Sequence, residues 1–162
     1  MATTQQKSIQ IANGDKVPPV FNHTTEENGR VRASVFEFTQ DGAGDAGSTV
    51  ALIRLPAGRV RILSHLSVIR CSAFGAGATL DVGYAAHENF KGDAVPADPD
   101  AIADGIDVSA AAQLSLGGIG AGVAGPSVLA PSRDRVIILA TCQGAAIPDG
   151  ATLTGVICYV ND

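Results

Sequence analysis

Five aspartates crowd into residues 93–107: Asp93, Asp98, Asp100, Asp104 and Asp107. Closely spaced oxygen ligands are what a calcium ion takes. The spacing does not follow an EF-hand loop, however, and Pro99 and Ala101 stand between the candidate ligands. We read the segment as a helix cap and solvated loop, with bound calcium as the alternative, and assign no metal site. His23, His65 and His87 are far apart and lack the i, i+4 spacing that brings two imidazoles to one zinc ion. His65 falls on the polar face of a strand, exposed or at an interface. No G-x-S-x-G nucleophile elbow is present, so any Ser-His-Asp triad would have to be assembled in space. Glu26, Glu27, Glu37 and Glu88 are the only glutamates, and their positions do not support a paired-carboxylate glycosidase.

G-x-G-x-x-G occurs at residues 42–47 and again at 120–125. A dinucleotide site needs a strand before this motif and a helix after it, so that the helix N-terminus meets the pyrophosphate. The first copy runs into strand-like residues 48–55 and the second into Pro126, so both read as loops. Cys71, Cys142 and Cys158 are an odd number without a C-x-x-C pair, the usage of buried thiols acting as small hydrophobes rather than of a disulfide framework. No catalytic residue and no cofactor is assigned.

Arg54, Arg59, Arg61 and Arg70 form the one basic concentration. They read either as a solvated face with cross-strand partners or as a patch that docks on an acidic protein surface, with Arg54, Arg59 and Arg61 as the candidate contact residues. The chain as a whole carries a net charge of −5, which argues against nucleic acid as the main partner. Aromatic residues are 4% with no Trp, an unusual poverty for a sugar-binding cleft or a base-stacking surface.

The elements that must hold these side chains are strands. The length, 162 residues with 46% hydrophobic, suits one domain with a real core. Residues 108–132 carry no charge and no His, but five Gly and two Pro interrupt them, so no membrane helix is expected. The polar N-terminus lacks the apolar stretch of a signal peptide, and the sequon Asn22-His23-Thr24 is read as accidental.

Residues 1–25 read as an extended N-terminal arm, stiffened at Pro18-Pro19, with sparse apolar points at Ile9, Ile11, Val17, Val20 and Phe21. Residues 26–162 read as a single β-sandwich domain. Within 30–38 the apolar alternation changes phase, from Val31, Ala33 and Val35 to Phe36 and Phe38. Such a change implies a β-bulge or a strand covered on both faces. Residues 49–55 and 59–70, joined by Pro56-Ala57-Gly58, read as a hairpin, with Val60, Ile62, Leu66 and Val68 on one face. Residues 79–84 form a further strand. Residues 135–142 and 151–160 read as a second hairpin, turning at Asp149-Gly150. A short helix is expected near 99–104, stopped by Gly105, with another turn of helix over 109–114. Six strands are clear, and weaker ones near 17–21 and 127–129 bring the count to eight. The fold class is therefore all-β: an antiparallel β-sandwich of jelly-roll type.

Several stretches carry a family likeness. They are residues 50–63 around the Pro56-Ala57-Gly58 turn, 77–84 (Gly77-Ala78-Thr79-Leu80-Asp81-Val82-Gly83-Tyr84), 103–109 and 147–155. Over roughly residues 45–160 the sequence resembles capsid decoration (cement) proteins of tailed bacteriophages. The resemblance implies a jelly-roll or related sandwich that assembles as a homotrimer on the outer surface of the head. It would stabilise the head by bridging major capsid subunits. The protein would then be a non-enzymatic component of the virion, made in the host cytoplasm, with no membrane or nucleic-acid partner. On this reading Val156, Cys158 and Val160, or their opposite-phase neighbours, lie at a subunit seam, because strands apolar in both phases need a neighbour to cover the second face. The arm residues Ile9, Ile11, Val17, Val20 and Phe21 then contact the capsid. The alternative is a phage tail or baseplate component, or a carbohydrate-binding β-sandwich module.

Overall fold

β-Branched and aromatic residues at alternating positions, punctuated by Gly and Pro, give twelve short strands among the described residues. In chain order they are β1 (Val31–Thr39), β2 (Thr49–Leu55), β3 (Val60–Ile62), β4 (Val68–Cys71), β5 (Thr79–Tyr84) and β6 (His87–Glu88). These are followed by β7 (Ala94–Val95), β8 (Asp98–Asp107), β9 (Ala112–Ser115), β10 (Ser127–Val128), β11 (Val136–Gln143) and β12 (Thr152–Asn161). A computed structural model describes residues 6–21, 29–118, 127–128 and 132–161. The sequon, His23, Glu26, Glu27, Leu129 and the second G-x-G-x-x-G lie outside the described residues.

Two antiparallel sheets face each other. In the first, β12 is flanked by β1 on one side and by β3 and β4, end to end, on the other; β10 and β9 then pair with β3 and β4. The six strands thus occupy four positions. The second sheet has the order β2-β11-β5-β8. Following the chain, only β5 to β8 stays within one sheet; every other step between these positions crosses the sandwich. Eight strand positions, four per sheet, connected this way are a jelly roll. β6 and β7 form a separate small hairpin between β5 and β8.

The inward faces supply the core. Phe36, Ile62, Ile69, Leu153 and Ile157 come from the first sheet, and Leu55, Leu80, Val82, Ile106 and Ile138 from the second. Ile147 and Leu116, from segments outside the strands, are buried in the same core. Fully burying such a side chain contributes about 1.5–3 kcal/mol. Gly155 faces Phe36 across the β1–β12 pair, and a Cβ there would lie 2.7 Å from the Phe36 ring. The Val68 carbonyl oxygen lies closer still, and the two together occupy the space a larger residue would need.

The jelly roll meets the expected fold class, but both expected hairpins are absent. β2 pairs with β11 in the second sheet while β3 pairs with β12 in the first, so Pro56-Ala57-Gly58 is a corner between sheets. Gly58 has φ 113° and exchanges two backbone hydrogen bonds with Ser132, at 3.0 and 3.1 Å. β11 and β12 are likewise in opposite sheets. A hairpin turn and a sheet-to-sheet corner use the same Gly and Pro chemistry and the same flanking alternation, so the local pattern does not separate them. Residues 99–104 are strand, part of β8, and not helix: their partners on β5 override a weak capping signal. Residues 112–115 are strand β9 for the same reason. Residues 17–21 are not a strand, whereas a six-residue helix α1 (Ile9–Gly14) forms within the segment read as extended, capped by Ser8 Oγ accepting from the Ile11 N–H at 3.3 Å.

The strand expected over 59–70 is broken. β3 and β4 run along the same side of β12, but five residues, 63–67, stand opposite only Ile157 and Cys158. The surplus is taken up by a short 3-10 turn, Ser64–Leu66, which puts His65 on a turn rather than a strand face and leaves Leu66 exposed. Ser67 repairs the ladder. Its fully buried hydroxyl accepts from the Cys158 N–H at 3.0 Å and donates to the Leu63 carbonyl at 2.9 Å. Replacing Ser67 with Ala leaves the Cys158 N–H unpaired and the Leu63 carbonyl with only its bond from the Leu66 N–H. We expect a loss of about 1–3 kcal/mol, read as a fall in Tm of several degrees; an unchanged melting curve would show that the hydroxyl bridge is dispensable.

Candidate functional site

The chemical groups are dispersed. Cys71 and Cys142 are buried and Cys158 is half-buried, all with free thiols. Burial, and secondarily the Asp81 carboxylate, pushes the Cys142 thiol up. The His87 ring meets Tyr84 edge-on, with centroids 5.4 Å apart, and its Nδ1 lies 3.1 Å from the Ala85 carbonyl. Burial, and then the Asp98 charge, raises the Tyr84 phenol. The aspartates read as a capping loop are spread along β8, apart from Asp93 in the β6–β7 turn, where Asn89 Nδ2 donates to it at 3.0 Å. Among the described residues no three His, Cys, Asp or Glu side chains form a group able to hold a metal ion. An open depression of about 420 Å³ lies beside Asp107, Ser109, Ala112 and Leu114. Hydrogen bonds from the Ser109 side chain and backbone hold the Asp107 carboxyl below its ordinary value, and the lining holds no His, Cys or Lys beside this pair. The first G-x-G-x-x-G is a loop leading into β2: Gly44 exchanges backbone hydrogen bonds with Ile147 at 2.9 and 2.6 Å, and no helix follows. No described helix is long and apolar enough to cross a membrane.

The feature that stands out is the outer face of the first sheet. β1 and β12 pair without a register shift from Val31↔Val160 to Thr39↔Thr152, so the change of phase in β1 is not a bulge. Phe36 and Phe38 turn inward, while Val31, Ala33 and Val35 turn outward beside Val160, Cys158 and Val156. Val68 of β4 continues the row across from Val156. Val35 is 79% exposed and Val31 53%; Val156, Cys158 and Val68 are half-buried. Val160 differs from the seam expected of it: it is 5% exposed, so a neighbour would gain little from covering it. The sequence pattern contains this stripe in the first phase of residues 31–35, but Val31 and Val35 are outside the named seam residues, and Val68 is not on the face of Val60 and Ile62, where the alternation puts it.

One row along, polar residues bound the stripe. Glu37 of β1, Thr154 of β12, Arg70 of β4 and Gln113 of β9 are successive cross-strand partners. Arg70 Nε donates to Gln113 Oε1 at 3.1 Å, and Nη2 donates to the same oxygen.

The remaining candidates separate. Arg54, on β2, points outward from the second sheet beside Ile137, whereas Arg61 points outward from the first beside Val160. The structure therefore does not bring Arg54, Arg59 and Arg61 into one patch: the expected hairpin that would have joined them is a crossover. Ile9, Ile11, Val17, Val20 and Phe21 are all exposed, Val17 at 98% and Phe21 at 91%. Phe90, on the β6–β7 turn, is also exposed. It was missed because one aromatic in a turn has no periodicity. Asn89 Oδ1 fixes that turn by accepting from the Lys91 and Asp93 N–H groups, each at 2.9 Å.

The topology places the chain in the class of eight-position jelly rolls. A chain of the cyanophage Pam1 capsid asymmetric unit shares this fold, with a TM-score of 0.55 and 10% identity over 83% of this chain and 86% of that one. Chains of infectious bursal disease virus align with TM-scores of 0.44 for the Gx strain, at 14% identity, and 0.45 for the VP2 subviral particle, at 13%. The matches cover 82% and 80% of this chain and 32% of each of those, so this chain spans about a third of their length. No protein-family model and no curated protein sequence matches the chain.

Asp98 and Asp100 allow a check on the electrostatics. A hydrogen bond with the Asp100 side chain, then partial burial and the Asp100 charge, hold the Asp98 carboxyl above its ordinary 3.8. A raised carboxyl contributes stability below the unfolded value, and that contribution is lost as pH rises through the folded value. Asp98→Asn should therefore melt higher than the wild type at neutral pH, with the difference vanishing below pH 3.8. A pH-independent difference would mean the two carboxyls do not interact.

Proposed function

We propose that this protein is a structural component of a virus particle, a capsid decoration protein of a tailed bacteriophage. It binds the outer surface of the head and stabilises it by bridging major capsid subunits. The observation that carries the reading is the jelly roll, which over 83% of the chain follows a chain of the Pam1 capsid. Its outer sheet face presents an apolar stripe where a free-standing domain would keep polar residues. The chemistry of the surface is in keeping with a scaffold. Among the described residues the titratable groups are dispersed, and we assign no catalytic role.

In this proposal the chain divides into an N-terminal arm over residues 1–25 and a sandwich over 26–162. The sandwich self-associates as a homotrimer through the face carrying Val156 and Cys158. The arm, through Ile9, Ile11, Val17, Val20 and Phe21, contacts the shell. Exposed apolar side chains are stabilised when a partner removes them from water, at about 25 cal/mol per Å² of apolar surface. Sedimentation should report a trimer at micromolar concentration; a stable monomer would overturn the self-association. Deleting residues 2–21 should weaken binding to undecorated capsids, on the order of a hundredfold for an arm contributing several buried side chains, while leaving the fold intact. Full decoration by the truncated protein, seen by negative-stain imaging, would remove the arm from the contact. Absence of decoration by the whole chain would overturn the capsid role.

A further inference from the structure

We propose that the apolar stripe on the outer face of the first sheet is covered by a second copy of this chain, with the β1 flank of one copy set against the β4 flank of the next, so that Glu37 of one pairs with Arg70 of the other. This rests on the self-association proposed above and specifies its geometry. The stripe runs through Val31, Ala33, Val35, Val156, Cys158 and Val68, and it is asymmetric in charge. An acid, Glu37, stands on the β1 side and a base, Arg70, on the β4 side of the same cross-strand row, both exposed and separated by the Thr154 position. Two interstrand spacings put their backbones about 10 Å apart.

Among the described residues Glu37 has no cation within ion-pair distance. Arg70 uses two donors on one Gln113 oxygen, and a guanidinium has five, so donors remain for a carboxylate. Setting β1 over β1 would oppose two Glu37 carboxylates, and setting β4 over β4 would oppose two Arg70 guanidiniums. Setting β1 over β4 pairs unlike charges and seals the valines between them. Complementary charge of this kind selects register and partner. The stripe is its own complement only in that orientation, and this favours another copy over an unrelated partner.

The test is a charge exchange measured by sedimentation on the full chain. Glu37→Arg and Arg70→Glu should each weaken assembly on the order of tenfold at low salt, and the double variant should recover most of the loss. Wild-type assembly should also weaken as salt is raised. Both side chains are exposed, so the melting temperature of the dissociated chain should barely move, and Val35→Asp serves as a second disruption independent of charge. Wild-type assembly that is indifferent to all three substitutions, or a double variant no better than the singles, would overturn this orientation while leaving self-association standing. A wild-type chain that is monomeric would overturn both. If that monomer binds capsids and Val35→Asp abolishes the binding, the stripe belongs to the shell and the proposal is wrong.

Discussion

The unbroken register between β1 and β12 is the constraint on which the rest depends. Nine consecutive pairs, from Val31↔Val160 to Thr39↔Thr152, hold Phe36 and Phe38 on the core side together with Leu153 and Ile157. Because side chains alternate with period two, a slip of one residue would exchange every inward group for an outward one. Gly155 reinforces the setting. The Phe36 ring and the Val68 carbonyl oxygen crowd the place of a Cβ there, so a glycine at this position lets the aromatic side chain lie against β12. Once this pair is fixed, Val31, Ala33 and Val35 have nowhere to go but outward, and the outer apolar face follows from the same bonds that build the core.

Much of the sandwich was legible in the sequence because burial writes a period-two signal directly into residue type. Along β11 the alternate residues Val136, Ile138, Ala140 and Cys142 are all buried, and the strand expected over 135–142 is there. The strand at 79–84 and the short one at 127–128 were also found. What could not be read was which strands pair. Pro56-Ala57-Gly58 and Asp149-Gly150 reverse or redirect the chain equally well, and the choice between a hairpin and a crossing is made by partners many residues away. The same limit explains β8, where the weak helix signal over 99–104 yielded to pairing with β5. The break at 63–67 was invisible because its key group, the Ser67 hydroxyl, looks like an ordinary outward polar residue on an alternating strand.

The interaction surface was half legible. Apolar residues in both phases of β1 and β12 pointed to a second covered face, and the outward valines bear that pattern. The particular residues shifted: Val160 is already buried within the single chain, and the basic residues expected side by side are divided between opposite faces of the sandwich. A surface patch depends on tertiary placement, and an incorrect strand pairing moves a charge from one side of the molecule to the other.

The position of β12 has a further consequence for how the molecule forms. It lies between β1 on one side and β3 with β4 on the other, yet it follows all of them in the sequence. Until it arrives, those earlier segments have no common neighbour to join. Closing a central strand onto partners far back along the chain is slow compared with local pairing. During biosynthesis the greasy outward stripe is thus assembled in the same late event that completes the interior, and until then the apolar residues of both faces stay open to neighbouring chains.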